Sequence, residues 1–293
     1  MRGDEIGMRL DRLLVTLHPE LGRAHAARLC SEGAVRVNGR ARRKNFLVAS
    51  GDTVEARVGN FGAALPAPEI QLSIVLETPD FVIVDKAAGV PCGSLVGKEQ
   101  GTLAGALLHH FPEMQHVGYG RREPGLVHRL DNQTSGLVLA ARHQRAFVAL
   151  QSGLSRGLLT KKYLALVAPN VLPDRGHVRL PLAPHPQDRR RVIVVSAGGH
   201  PSETVFEVLR RGRDADLAQV SVHAAYRHQI RCHLAHRGAS LLGDEVYGSR
   251  HPVLGARHAL HASYIAGDVA GLPGFAVESP LPEDLGAILD RDT

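Results

Sequence analysis

The sequence predicts an α+β protein in two parts, and three observations carry that reading. Short β-prone runs and helical runs mix along residues 73–290 without the regular strand–helix alternation of a doubly wound fold. Residues 1–58 read as a helix pair followed by a compact β unit, and a stretch rich in Gly, Ala and Pro follows them. The length, 293 residues, leaves room for about two domains. A small domain over 1–58, a linker over 59–72 and a large domain over 73–293 are therefore expected.

Leu10, Leu13, Leu14 and Leu17 recur at helical spacing, and Pro19 follows as a stop. A second helix is expected from about Arg23 to Glu32, with Gly33 just past its end. Ala34 to Val37 alternates as a strand, and Asn38-Gly39 reads as a hairpin turn. Phe46 to Val48 and Thr53 to Val58 complete the β unit around Gly51-Asp52. In the large part, Ser73 to Glu77 and Phe81 to Lys86 form a hairpin across Thr78-Pro79-Asp80. Helices are expected over Thr102 to Phe111, His143 to Leu154 and Arg227 to Arg237. Strands are expected over Leu159 to Val167, Arg191 to Val195, Thr204 to Leu209 and Leu217 to His223. No internal repeat or low-complexity tract is visible.

An apolar share of 44% and a charged share of 22% are those of an ordinary globular protein. The net charge of +6 and the pI near 9.5 suit an anionic partner. Residues 1–58 hold eleven basic and seven acidic side chains, so four of the six net charges sit there. Thirty Arg against five Lys fits phosphate recognition by a bidentate donor and fits a codon bias equally well. Cys30, Cys92 and Cys232 are odd in number and contain no CxxC, which argues against a disulfide framework or a zinc ribbon. No signal peptide and no membrane-spanning run is apparent, so a soluble cytoplasmic protein is expected.

The most informative stretch is Gly125 to Arg142. Two apolar runs, Leu126-Val127 and Leu137 to Ala141, flank a polar loop carrying His128, Arg129, Asp131, Thr134 and Ser135. This reads as strand, loop, strand, with the loop mounted on a rigid scaffold. An isolated Asp in such a loop would most often cap a turn. The whole string, His-Arg-Leu-Asp-x-x-Thr-Ser-Gly-Leu and an apolar run, resembles the signature of the RluA-type RNA pseudouridine synthases. In that family the Asp of this motif is catalytic, which implies Asp131.

Further segments resemble the same family. Asp85-Lys86-Ala-Ala-Gly89 is similar to its Asn/Asp-Lys-Pro-x-Gly segment, with Ala87 in place of Pro. Lys161-Lys-Tyr163-Leu-Ala-Leu-Val resembles a strand whose Tyr lies in the active site. His228-Gln-Ile-Arg231, then Gly243-Asp-Glu-Val-Tyr-Gly248, resembles the motif whose Arg pairs with the catalytic Asp. Ala259-Leu260-His261-Ala262 matches an element lining the uracil pocket. The resemblance covers about residues 73–290 and implies one large mixed, mostly antiparallel sheet crossed by the active-site cleft. The N-terminal part resembles the small α-L RNA-binding domain of the ribosomal S-four type. There Arg9, Arg12, Arg23, Arg28, Arg42, Arg43 and Lys44 are candidates for phosphate contact, against the blander reading of a solvated charged face.

The chemistry implied is breakage of the N1–C1′ bond of a uridine, rotation of the base and joining of C5 to C1′. A uridine in folded RNA must be flipped out to be reached, and the resemblance gives Arg129 the space it leaves. His128 beside it is a candidate substrate contact. Asp131 must be ionised, as nucleophile at C1′ or as base at the ribose, and a neighbouring cation stabilises that form. Arg231 would orient the carboxylate through its planar fork. Tyr163 would stack on the base and help move the C5 proton. Taken singly, Tyr163 reads as a core aromatic and Arg231 as a helix cation; taken with the motif, they read as catalytic. RNA, ribosomal or transfer, is the partner expected, with no DNA, no membrane, no metal, no cofactor and a monomeric chain.

Two other classes compete with this reading. A zinc hydrolase would draw on the 17 histidines, His228, His233 and His236 among them, but no H-E-x-x-H string is present. A catalytically silent RNA-binding protein could retain the fold, against which the presence of Asp131, Tyr163 and Arg231 weighs. The chain departs from the family pattern at Ala224 to Arg227, where Tyr226 takes the place of a usual Arg. Tyr226 would stack on an unpaired base or pack on the domain surface, and Arg227 would point away from the cleft.

Overall fold

The computed structural model describes residues 6–18, 23–56, 63–93, 100–118, 122–223 and 225–290, with the side chains of residues 23–25 and 28 outside that description. In the N-terminal unit, α1 (Leu10–Leu17) and α2 (Arg23–Ser31) pack on a small antiparallel sheet of β1 (Val35–Val37), β2 (Arg40–Ala41) and β3 (Val54–Ala56). Leu10, Leu13, Leu14, Ala26, Leu29, Val35, Val37 and Val48 form its core. Asn38 and Gly39 both take positive φ, 51° and 74°, as a two-residue hairpin turn demands. Phe46 to Val48, expected as a strand of the β unit, instead bonds backward. The Leu10 N–H donates to Phe46 O and the Val48 N–H to Met8 O, so its partner is the chain entering α1.

Among the described residues the large sheet has nine strands. They are β4 (Ser73–Glu77), β5 (Phe81–Lys86), β6 (Ser135–Ala141), β7 (Leu159–Val167), β8 (Arg175–Arg179), β11 (Glu203–Arg210), β12 (Asp216–Ser221), β13 (Leu260–Gly267) and β14 (Phe275–Glu278). The order is β4-β5-β6-β13-β7-β12-β11-β8, with β14 added to the far half of β13. Every pairing is antiparallel except β6 with β13. A separate hairpin, β9 (Leu182–Pro184) with β10 (Val192–Val194), stands beside it. Helices α3 (Leu103–His110), α4 (Gln144–Ser155), α5 (Gln229–His236) and α6 (Glu283–Leu289) complete the part. All seven residues of β6 are buried, as a continuous apolar run requires when both faces of a strand are covered.

Three differences from the sequence reading bear on the site. Leu126-Val127 is not a full strand. It runs antiparallel to β6 through one bridge to Ala140 and bonds at Val127 and Ala141, because its neighbours turn into the polar loop. The helix expected from Arg227 starts at Gln229, since His228 takes a left-handed φ of 54° that ends the preceding turn. The second half of the expected linker is packed: Ala64 and Ala67 are buried, and the Ala67 N–H donates to Gly105 O in α3. Residues 59–62 of that stretch lie outside the described residues, as do residues 57 and 58 at the end of the strand expected before it.

The polar loop ends where β6 meets β13. Gly136 has φ 113°, and a Cβ there would run into the backbone of Ala262. Only glycine permits this close approach, which brings the loop, the start of β13 and, through the Ala262–Tyr163 pairing, β7 together.

Candidate active site

Asp131 and Arg231 are a hundred positions apart and in contact. Asp131 sits in the loop before β6, with its side chain 24% exposed; Arg231 sits on α5, 7% exposed. The Arg231 Nη1 donates to Asp131 Oδ2 at 2.8 Å. Its other edge, Nε and Nη2, forks onto the fully buried Asp244 at 2.7 and 2.8 Å. Asp244 Oδ1 also accepts from the backbone N–H groups of Val246 and Tyr247. Burial alone would raise the Asp244 carboxyl, but the Arg231 guanidinium holds it below the usual range. Arg231 is likewise raised, its burial outweighed by Asp244 and Asp131. The guanidinium is thus locked from behind, so its free edge presents a fixed cation to Asp131.

A ring of neutral groups surrounds this pair. His228 Nε2 lies 3.9 Å from Asp131 Oδ2, and its Nδ1 meets the Tyr247 hydroxyl at 3.1 Å. Burial lowers the His228 pKa. The Tyr247 ring lies 5.3 Å from the Arg231 guanidinium. His258 is buried and pushed down to about 4 by burial above all, and its Nε2 meets Thr134 Oγ1 at 2.7 Å. The Thr134 N–H in turn donates to Asp131 O, closing the loop. From the other side, the buried Lys86 ammonium donates to the carbonyls of Ala87, Val90 and Asn132. That ties the turn after β5 to the residue next to Asp131, and burial brings Lys86 down to about 8.

Tyr163 is buried in mid-β7, opposite Ala262 and Val220. Burial, with the charge of Asp131 second, holds its hydroxyl above the ordinary range, so it stays protonated at neutral pH. His128 is half-buried, and its Nε2 accepts the Leu139 N–H at 3.1 Å. Leu260 is buried at the start of β13. Arg129 is 65% exposed and donates to Glu123 Oε1 at 2.8 Å. The cation on Asp131 is therefore Arg231, not the sequence neighbour Arg129.

Tyr226 stacks on His200 at 5.0 Å and packs with Leu182, Val192 and Cys232 at the β9–β10 hairpin. Arg227 donates to the carbonyls of Arg189 and Arg191 in the same hairpin. In the N-terminal unit, Arg9 is paired with Asp11, and Arg42 lies over the Phe46 ring at 4.8 Å. Arg12, Arg43 and Lys44 are exposed, and the side chains of Arg23 and Arg28 lie outside the described residues. Of the histidines that a metal site would draw on, His233 is held by Thr204 and the Leu180 carbonyl. Among the described residues no three metal-ligating side chains converge.

Asp244, His258 and Lys86 do not stand out as site residues in the sequence. Asp244, Lys86 and His228 lie inside the motifs already quoted, but their roles need a burial state that no motif states.

The family model of RNA pseudouridylate synthases matches residues 80–236, and that of the S4 domain residues 8–54. The chain is 34% identical over 297 residues to ribosomal large subunit pseudouridine synthase D of Pseudomonas aeruginosa, across 95% of this chain and 90% of that protein. It is 31% identical over 285 residues to an uncharacterized RNA pseudouridine synthase of Bacillus subtilis, across 97% and 93%. The structure of human RNA pseudouridylate synthase domain containing 1 matches with a TM-score of 0.61 at 24% identity, across 76% of this chain and 89% of that one, a likeness of fold. Among the described residues no helix is long and apolar enough to cross a membrane.

Proposed function

The chain belongs to the RNA pseudouridylate synthase family and is an isomerase acting on uridine in RNA; from that premise we propose that Asp131 carries the chemistry, with Arg231 and Tyr163, on ribosomal RNA. The observation that supports this reading best is the fork of Arg231 on Asp244, which leaves one N–H edge for Asp131. A carboxylate that must act on the ribose needs a fixed direction, and a doubly anchored guanidinium supplies it. That direction serves attack at C1′ and removal of a ribose proton alike. Tyr163, protonated and two pairings from the loop, would stack on the flipped base and offer its hydroxyl to the proton leaving C5. Arg129, exposed in the loop, would enter the vacated stack. The choice of ribosomal RNA rests on the name of the Pseudomonas aeruginosa relative.

Incubating the purified protein with large-subunit ribosomal RNA transcript and, separately, with transfer RNA, then mapping pseudouridine, tests the reading. Conversion at discrete positions of the ribosomal transcript is expected. Conversion in transfer RNA alone would move the substrate, and binding without conversion of either would favour a silent RNA-binding protein. In the S4 domain, Arg12, Arg43 and Lys44 are the exposed candidates for phosphate. Replacing all three by Gln should flatten the dependence of log affinity on log salt by roughly 0.7–0.9 for each phosphate no longer neutralised. An unchanged slope would make them a solvated face.

A further inference from the structure

Two buried lysines flank the site, and they differ in one respect. Lys86 has three carbonyls around its ammonium. Lys161, 6% exposed on β7, makes no hydrogen bond or ion pair among the described residues, and its Nζ keeps contact with solvent. Leu159, Lys161, Tyr163 and Ala165 are the alternate, buried positions of that strand, so Lys161 lies on the face that carries Tyr163. Most of this side chain is out of water, and burial lowers Lys161 to about 8.

A second unpaired group stands beside it. His128 Nε2 is filled by the Leu139 N–H, so the neutral ring carries its proton on Nδ1, and that buried nitrogen meets no partner. Burial first and the charge of Lys161 second push this histidine down to about 3, against an opposing contact with the Arg129 backbone whose geometry falls short of a hydrogen bond. Asp131 follows His128 by three residues, and Tyr163 feels its charge. Two donors therefore lack an acceptor, one on the β7 face that carries Tyr163 and the other three residues from Asp131. What complements them is an acceptor that carries negative charge.

We propose that Lys161, with His128 beside it, binds the detached uracil as its anion, holding a ring carbonyl oxygen while the base turns. The proposal rests on the isomerase reading above. When the N1–C1′ bond breaks, its electron pair stays on the base and spreads over N1 and the adjacent carbonyls. The C5–C1′ bond then forms with a pair from the base, the C5 proton leaves to a base or water, and N1 takes a proton from solvent. Lys161 and His128 keep their protons throughout; they lower the energy of the charged intermediate and prevent its escape.

The test compares wild type with Lys161→Met and Lys161→Arg in single-turnover assays. One RNA carries uridine and the other 5-fluorouridine at the modified position, and loss of the N1-linked nucleoside is read by digestion and mass spectrometry. Fluorine stabilises the departing anion, so it lessens the need for Lys161. The expected result is a rate loss of roughly 10²–10³-fold for Lys161→Met on uridine, with a smaller loss on 5-fluorouridine. RNA affinity and melting temperature should hold, and Lys161→Arg should recover part of the rate. Lys161→Met working within threefold of wild type on uridine would overturn the proposal, as would equal losses on both bases. A variant that melts early and loses RNA affinity in proportion to rate would assign Lys161 to the core instead. Wild type converting neither RNA would sink the isomerase reading itself, a separate outcome.

Discussion

Asp131→Asn should fold and bind RNA but fail to turn over. The two carboxylates and one guanidinium of Asp131, Arg231 and Asp244 sum to one negative charge. Asn removes it and leaves the buried Arg231–Asp244 fork whole. The amide oxygen still accepts from Arg231 Nη1, so no buried donor loses its partner. The melting temperature should therefore move by no more than about 2 °C, since surface-facing changes that orphan no partner stay near ±0.5 kcal/mol. Turnover should fall by roughly 10⁴-fold or more, about 5 kcal/mol of transition-state stabilisation. Circular dichroism melts, RNA affinity and single-turnover pseudouridine formation check the three statements. Activity within tenfold of wild type, with reversion excluded by mass, would remove Asp131 from the chemistry.

Asp244→Ala should behave differently, losing stability and turnover together. Four hydrogen bonds end on this fully buried carboxylate, two from Arg231 and two from the backbone of Val246 and Tyr247. Removing one partner of a buried ion pair costs about 3–5 kcal/mol, because the other charge stays buried and unpaired. For a part of this size that is a fall of roughly 10 °C in melting temperature. Arg231 would also lose its direction, so turnover should drop even at temperatures where the variant is folded. Asp244→Asn keeps the shape and part of the bonding, and should lie between wild type and Ala on both measures. Melting curves and kcat at low temperature for the pair check this. An Ala variant with wild-type melting would show that the fork is not what holds α5 to its turn.

Much of the fold is legible in the sequence because it depends on local pattern. The leucines of α1, the Asn38-Gly39 turn and the unbroken apolar run of β6 each state their own geometry. β8 does not. Arg175-Gly-His-Val-Arg179 is a polar segment, and it is a strand because Arg175 and Arg179 lie opposite Glu207 and Glu203 of β11, with ion pairs at 2.6 and 2.7 Å. β13 and β14 escape a sequence reading for a related reason, since β13 is held by β6 and β7, strands that lie far away in the chain.

In the candidate site, it is the resemblance of the motifs to the synthase family that singles out Asp131, Tyr163 and Arg231 as candidates; taken singly, Tyr163 reads as a core aromatic and Arg231 as a helix cation. Residue type and spacing by themselves do not say which cation faces Asp131; the family resemblance does, and it gives Arg231. Sequence proximity favours Arg129, which turns outward to Glu123, while Arg231 arrives from α5 across a hundred residues. Nor do they separate Lys86 from Lys161: both are buried, one is saturated by carbonyls and the other is unpaired among the described residues. By itself the sequence determined which chemical groups this protein has and the local elements that carry them. Their direction, solvation and partners were decided by tertiary structure alone. The charge of a side chain is a property of its atoms, whereas what that charge can do depends on the field of neighbours that only the packed chain brings within reach.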